Sequence, residues 1–297
     1  MLYPITFSIP EIKITSLSDL PEKRKLLSTI IPGDKSTYTF ANEEDYYNEY
    51  KQSMFAITMR KSGWDCMRHY EIIANGCVPF FQNLEECPVN TMALLPKDLL
   101  AEANTLYNKF TKSPERTKEL MDEYDAIRAA LQAFLRENLT TRAMANYVLE
   151  RTRHRKVSNV LFLSGNLFPD YLRCLTLHGF KELFGAKCHD YPRVSHMYQS
   201  ENIDYRRLYG MGMTYSNTLA PELHDSDSDR TIEEDIRNKK YDIVIYGSYH
   251  RGVPFYELVS KIYRPSEIIM LCGEDIHKCS HKDFFLSRGH HLFIREL

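Results

Sequence analysis

Short apolar runs, each followed by a polar turn and then by a new helical or turn pattern, constrain this chain more than any other feature. They fall at 54–58, 77–81, 160–163, 241–246 and 267–271. Runs of this length, rich in β-branched and aromatic residues and bounded by turn signals, read as strands. Strands that alternate with helices build a mostly parallel sheet with helices packed against it. The expected fold class is α/β, with two Rossmann-like domains facing across a cleft. The expected boundaries are 1–153 and 154–297, with the basic run from Arg151 to Lys156 as the hinge.

The same patterning places further elements. Strands are expected at Ile5–Ile9, Thr37–Phe40, Met92–Leu95 and Leu292–Ile294. Helices are expected over 43–52, 97–110 and 171–184, the last ended by Gly185. Ser113-Pro114 reads as a helix start, and apolar residues at Leu120, Tyr124, Ile127, Leu131 and Phe134 then mark one helical face, with a break near 139–141. Thr231–Glu234 has the form of a capping box. Residues 193–230 are polar, rich in tyrosine and without a period, as functional loops often are.

Composition removes several classes of function. A net charge of −2 gives no global field for nucleic acid or acidic membranes. No stretch approaches the roughly 20 apolar residues of a membrane span. The seven cysteines are odd in number and scattered, which fits a reduced protein better than a disulfide framework. The first ten residues lack a basic region and a long apolar run, so no signal peptide is expected. The expected compartment is the cytoplasm, the host's in the case of a viral chain.

Chemistry concentrates between Arg60 and Pro79. A strand, a polar turn containing Gly63, and a helix carrying the single Trp64 at its start make an anion site. The first N–H groups of a helix have no internal partners, and its dipole favours negative charge there. Asp65 can cap that helix; Arg68 and Glu71, three apart, share a face, either as an ion pair or as ligand-binding groups. Asn75-Gly76 ends the helix. The run Arg68-His-Tyr-Glu71 with Gly76-Cys-Val-Pro79 resembles the R-x-Y-E-x4-G-C-x-P signature of the donor-nucleotide domain in GT-B glycosyltransferases, especially exostosin-like ones. The resemblance covers about 25 residues.

This resemblance implies a glycosyltransferase that moves a sugar from a UDP-sugar, such as UDP-xylose, UDP-galactose or UDP-glucuronate, to a hydroxyl of an acceptor glycan. It implies Glu71 as the ribose ligand. Arg68, with Arg60 or Lys61, would neutralise the diphosphate, and Ser62, Gly63 and Trp64 would line the turn. No metal is obligatory and no further cofactor is expected; the nucleotide sugar is a co-substrate. The family's donor domain normally comes second, whereas here it comes first. A circular permutation, a fragment of a larger enzyme, or a second half that is not an acceptor domain would each account for that order.

For an inverting reaction the second half should supply a base; the resemblance implies Asp170, in the loop after the first strand of that half, with His250 as its rival and Glu274 and Asp275 also at strand ends. Asp170 could equally cap the helix that follows it. Tyr198, Tyr205, Tyr209 and Tyr215 offer faces for sugar rings. Asp225-Ser-Asp-Ser-Asp229 is similar to the acidic metal motif of GT-A enzymes but has no strand before it, and reads as a solvated loop. Cys272, His277, Cys279 and His281 are zinc-ligand types at a spacing that is not a zinc-finger pattern. A different nucleotide-binding enzyme, such as an epimerase, or a non-catalytic carbohydrate-binding module are the other readings.

Overall fold

A computed structural model describes residues 1–113, 115–275 and 279–297. In chain order its regular elements are β1 (Leu2–Pro4), β2 (Lys25–Leu27), α1 (Glu43–Lys51), β3 (Ser53–Thr58), α2 (Met67–Ala74), β4 (Val78–Phe81), α3 (Lys97–Lys112), α4 (Lys118–Asn138), α5 (Thr141–Arg151), β5 (Val160–Leu163), α6 (Tyr171–Phe184), β6 (Cys188–Tyr191), α7 (Ser228–Arg237), β7 (Ile243–Tyr246), α8 (Tyr256–Ile262), β8 (Ile268–Cys272), α9 (Lys282–Ser287) and β9 (His291–Ile294). The strands form two parallel sheets. One has six strands in the order β1-β9-β8-β7-β5-β6, the other three in the order β2-β3-β4. The mixed α/β class with parallel sheets is as expected.

The larger sheet is covered on both faces, and its side-chain alternation shows it. Phe162, Ile243, Ile245, Ile269 and Phe293 face one core, with residues of α5 and α6. Leu161, Leu163, Val244, Ile268 and Met270 face the other, with Ile232 and Ile236 of α7, Val259 of α8 and Phe285 of α9. Neighbours along a strand point to opposite faces, so a wholly apolar run needs a hydrophobic layer on each side. The first of these cores continues without interruption into the smaller sheet through Phe55, Phe81 and Leu106.

Four local expectations differ from the structure. The first strand is Leu2–Pro4 rather than Ile5–Ile9, because Leu2 and Pro4 stand in register with Leu292 and Ile294. That pairing makes β1 the edge strand of the six-stranded sheet. Thr37–Phe40 carries a 3-10 turn ending at Thr37, and 92–95 is a turn; among the described residues neither stretch pairs with a strand. The capping box at Thr231 falls inside α7, which begins three residues earlier at Ser228. Pro114 lies outside the described residues; α4 begins at Lys118, where the Thr117 side chain accepts from the Leu120 N–H. The break near 139–141 is present, with Thr140 capping α5.

Order matters more than count for placing a site. Strand β5 has β6 on one side and β7 on the other, so successive connections leave β5 in opposite directions. In open parallel sheets ligands bind at the carboxyl ends of strands at such a switch. Here the exits of β5 and β7 touch: Asn166 N–H donates to the Arg251 carbonyl at 2.9 Å. A side chain on Gly165 would collide with that same carbonyl, so the approach requires glycine.

Arg295, just past β9 and fully buried, ties the two sheets together. Its guanidinium donates to the Asp65 carbonyl, to Glu296 Oε1 at 2.8 Å, to the Gly273 and Glu274 carbonyls and to Asp275. It also lies over the Phe7 ring at 4.5 Å. Arg295→Met should therefore lower stability by roughly 3–5 kcal/mol, the cost of leaving buried carboxylates without their counter-charge. Urea unfolding would show the midpoint falling.

Candidate functional site

A cleft of about 870 Å³ opens where the two sheets meet. One wall belongs to the smaller-sheet side: Lys35, Tyr38, Lys61, Ser62, Gly63, Arg68 and Glu71. The other comes from the larger sheet's strand exits and the loop after β6: Asp170, Tyr171, Tyr209, Arg251, Gly273 and Asp275. The turn after β3 and the exit of β5 thus line one space. Of the residues singled out from the sequence, Lys61, Ser62, Gly63, Asp65, Arg68, Glu71, Asp170, Tyr209 and Asp275 line it. Arg60, Trp64 and His250 are not among the lining residues.

Local packing explains those three. Trp64 is buried at 3% exposure, with its ring 6.4 Å from Phe81 in a stacked arrangement. Arg60 lies over the Trp64 ring, its guanidinium 5.6 Å from the centroid, a cation–π contact rather than a cleft contact. His250 sits behind Asp170, its Nε2 3.7 Å from Asp170 Oδ2.

The turn 60–65 takes its shape from buried polar groups. His69 Nε2 lies 2.8 Å from the Trp64 carbonyl and Nδ1 lies 2.8 Å from the Thr58 hydroxyl. A carbonyl only accepts, so Nε2 carries the proton and Thr58 donates to Nδ1. Asp65 does not cap α2. It accepts from the Phe7 N–H at 2.6 Å and the Tyr70 hydroxyl at 2.8 Å, and the N-cap position is Cys66, whose side chain makes no cap bond. The start of α2 is therefore left open toward the cleft, where Cys66, Met67 and Arg68 line the wall.

Arg68 decides the electrostatics of that wall. The residue is 7% exposed. Its Nε donates to the Tyr38 hydroxyl at 3.1 Å, while Nη1 has no hydrogen-bond partner among the described residues. Among those residues Arg68, Lys61 and Lys35 form no ion pair. The ion pair with Glu71 that their spacing permits is not made. A buried guanidinium with a free donor is costly unless an anion meets it.

Glu71 is engaged elsewhere. Oε2 accepts from the Tyr46 hydroxyl at 2.7 Å and Oε1 from the Thr214 hydroxyl at 2.5 Å. Burial raises its pKa above the ordinary carboxylate value, and these two hydroxyls and Arg68 oppose the rise. Thr214 comes from the loop after β6, so Glu71 fastens that loop to α2. Each carboxylate oxygen retains a second lone pair.

Asp170 caps α6 through the Arg173 N–H at 3.0 Å and accepts from Arg251 Nε at 2.7 Å. Burial alone would raise its pKa, but Arg173 and Arg251 outweigh it and hold the carboxyl below the usual range. An ionised carboxylate on the wall opposite Arg68 is the result. Of the four loop tyrosines expected to face ligand, Tyr209 lines the cleft. Tyr198 is buried and donates to Asp190, and Tyr215 is buried and donates to the Tyr209 carbonyl; both belong to the core because their hydroxyls have partners inside it. The acidic run 225–229 is not among the lining residues, and its Asp229 carboxylate lies 3.1 Å from His224 Nε2. Lys35, Tyr38, Tyr171 and Arg251 complete the cleft and carried no local motif.

The expected reduced state of all seven cysteines does not hold throughout. Cys272 and Cys279 are paired as a disulfide, and the other five are free. No described helix is long and apolar enough to cross a membrane. Compared with protein-family models, with curated proteins and with solved structures, the chain matches none of them.

The histidine in the turn carries a pH signature. Burial pushes His69 down to about 3 from 6.5, against the pull of the Trp64 carbonyl. The folded state then binds fewer protons than the unfolded state between those values, so His69 costs stability as pH falls below 6.5. Asp65, raised by burial to about 6 from 3.8 in spite of Arg295, acts in the opposite sense over that narrower range. Replacing His69 by Asn removes only the first effect. The stability gap between wild type and H69N, measured by urea unfolding, should narrow by about 2 kcal/mol between pH 6.5 and pH 5.

Proposed function

We propose that this chain is a glycosyltransferase that binds a nucleotide-diphosphate sugar, a UDP-sugar by the resemblance of 68–79, and transfers the sugar to a hydroxyl of an acceptor glycan. The observation that carries the reading is Arg68: a buried guanidinium with one nitrogen left without a partner among the described residues, in a cleft wall that also holds Lys35, Lys61 and the uncapped start of α2. This is the donor set a diphosphate requires. The cleft volume lies within the range typical of small-molecule sites, roughly 300–1,000 Å³.

In this reading the unit is GT-B-like, with the smaller sheet on the donor side and the larger on the acceptor side. Arg68, Lys61 and Lys35 neutralise the diphosphate, and their attraction grows as the bond from the anomeric carbon to the diphosphate oxygen breaks. Glu71 uses its remaining lone pairs to accept from the ribose hydroxyls. Tyr171 and Tyr209 offer ring faces to sugar. Asp170, ionised on the opposite wall, takes the proton from the attacking hydroxyl if configuration inverts. A retaining reaction needs no such base.

Titration with UDP, GDP, CMP and NAD, followed by thermal shift and calorimetry, tests the reading. UDP should stabilise the protein, and Arg68→Met should weaken UDP binding by roughly 10- to 100-fold, the loss of a charged hydrogen bond worth about 1.5–3 kcal/mol. Glu71→Gln keeps the shape and weakens it by less. An Arg68→Met protein that binds UDP as the wild type does would remove the anion site; binding of NAD in place of UDP would favour a dehydrogenase-like or epimerase chemistry.

A further inference from the structure

We infer that the exits of β7 and β8 form a site for one soft divalent cation, with Zn²⁺ as the natural occupant and Cys272, Cys279, His250 and Glu274 as its four ligands. Strands β7 and β8 are adjacent and parallel, so their exits emerge side by side. His250 belongs to the turn that follows β7, Cys272 is the last residue of β8, and Glu274 is two residues further on. Candidate ligand atoms of His250, Cys272 and Glu274 all lie within 4.8 Å of one another. Cys279 joins them: its sulfur is bonded to that of Cys272 and stands 3.3 Å from Glu274 Oε2, while the Cys272 sulfur stands 3.5 Å from the same oxygen.

The distances suit a tetrahedral cation. With metal–sulfur bonds of about 2.3 Å and metal–oxygen or –nitrogen bonds of about 2.0–2.2 Å, ligand atoms sit about 3.5 Å apart, and two sulfurs about 3.8 Å apart. The sulfur–oxygen separations already match. The two sulfurs must part and the His250 ring must close in from within 4.8 Å; the sulfurs part when two thiols supply two electrons and two protons to the disulfide, or when a phosphine supplies the two electrons and water the two protons and the oxygen of the phosphine oxide. Cation binding then releases the two thiol protons.

Three features beyond proximity point to a cation. His250 Nδ1 is buried and has no hydrogen-bond partner among the described residues, while Nε2 faces Asp170 at 3.7 Å. A metal-bound imidazole characteristically turns its other nitrogen to a carboxylate, and Asp170 occupies that position. Glu274 has no cationic side chain paired with it among the described residues; its oxygens meet the two sulfurs and the Ser280 N–H and hydroxyl. The Tyr249 hydroxyl lies 3.0 Å from the Cys279 sulfur, placed to donate to a thiolate. Both cysteines are buried, and four protein ligands leave no open position, so the site is structural. His277 lies outside the described residues and is not needed to complete it.

The site bears on the cleft. The turn that carries His250 also carries Arg251, and the exit that carries Glu274 also carries Gly273 and Asp275, all cleft-lining residues. A cation here would lock the wall that holds Asp170. It does not depend on what the cleft binds.

Titration of the whole protein with Co²⁺, after reduction by a phosphine and under inert gas, tests the inference. The expected result is one equivalent bound, with a near-ultraviolet sulfur-to-cobalt charge-transfer band and the intense visible bands of a tetrahedral site, all bleached by Zn²⁺. The oxidised protein should show neither band. His250→Ala should weaken Zn²⁺ binding by roughly 100-fold or more, since even the outer partners of a metal ligand are worth roughly 10–100-fold. Reduced wild-type protein that takes up no Co²⁺, or takes it up without the sulfur band, overturns the inference with no variant required. A Cys272→Ser, Cys279→Ser protein that binds Zn²⁺ as tightly as the wild type also overturns it.

Discussion

The arrangement depends on one buried cation, Arg295. Removing an arginine from water costs several kcal/mol, and that cost is met only where carboxylates and carbonyls surround it closely. Here they come from both sides of the molecule: the Asp65 carbonyl from the turn after β3, and Gly273, Glu274 and Asp275 from the exit of β8. The Asp65 N–H donates to Glu296 Oε1 at 3.1 Å, so the residue after Arg295 grips the same turn. A side chain on Gly63 would strike both Arg295 and Glu296, which is why that turn needs glycine. The two walls of the cleft are therefore fixed to one another at this guanidinium and at Glu296, and on the far side by the bond from Thr214 to Glu71.

Against this compensated cation stands Arg68, buried nearly as deeply and left without a counter-charge among the described residues. The pair of arginines shows what separates a structural from a receptive group. Arg295 has its donors spent on protein acceptors, whereas Arg68 keeps one back. Glu71 shows a mixed case. It holds the loop after β6 in place through Thr214 and still faces the cleft. A ligand that engaged Glu71 would act on the loop by the same oxygen atoms, through the bond from Thr214.

What could be read from the sequence follows from how each element is buried. β5, β7 and β8 are apolar on both faces and were legible as strands, since nothing but a two-sided core accepts such runs. β2 is three residues long at the margin of the smaller sheet, with Lys25 within it, and carries no such pattern. Thr37–Phe40 has strand-like residues but pairs with no strand among the described residues, and packing against a neighbour is most of what β-propensity measures. In the cleft, residues 61–71 were legible because turn, helix start and charge are contiguous. Tyr46, Thr214, Arg251 and Arg295 were not, because each reaches the site by tertiary packing from a distant segment. The grouping of His250 with Cys272, Glu274 and Cys279 was hidden for the same reason: its spacing in sequence means little, and the adjacency of β7 and β8 makes it.

One pairing has a consequence for how the chain is made. β1 lies in register with β9, Leu2 opposite Leu292. At about 5–20 residues per second of synthesis, β1 waits on the order of 15–60 s for its partner to be made. Only in the last part of that interval, roughly 1–4 s at this rate, is β8 made and β9 not, and β8 is then an open sheet edge. The six-stranded sheet thus gains its first strand only through its last, because β9 is what joins β1 to β8.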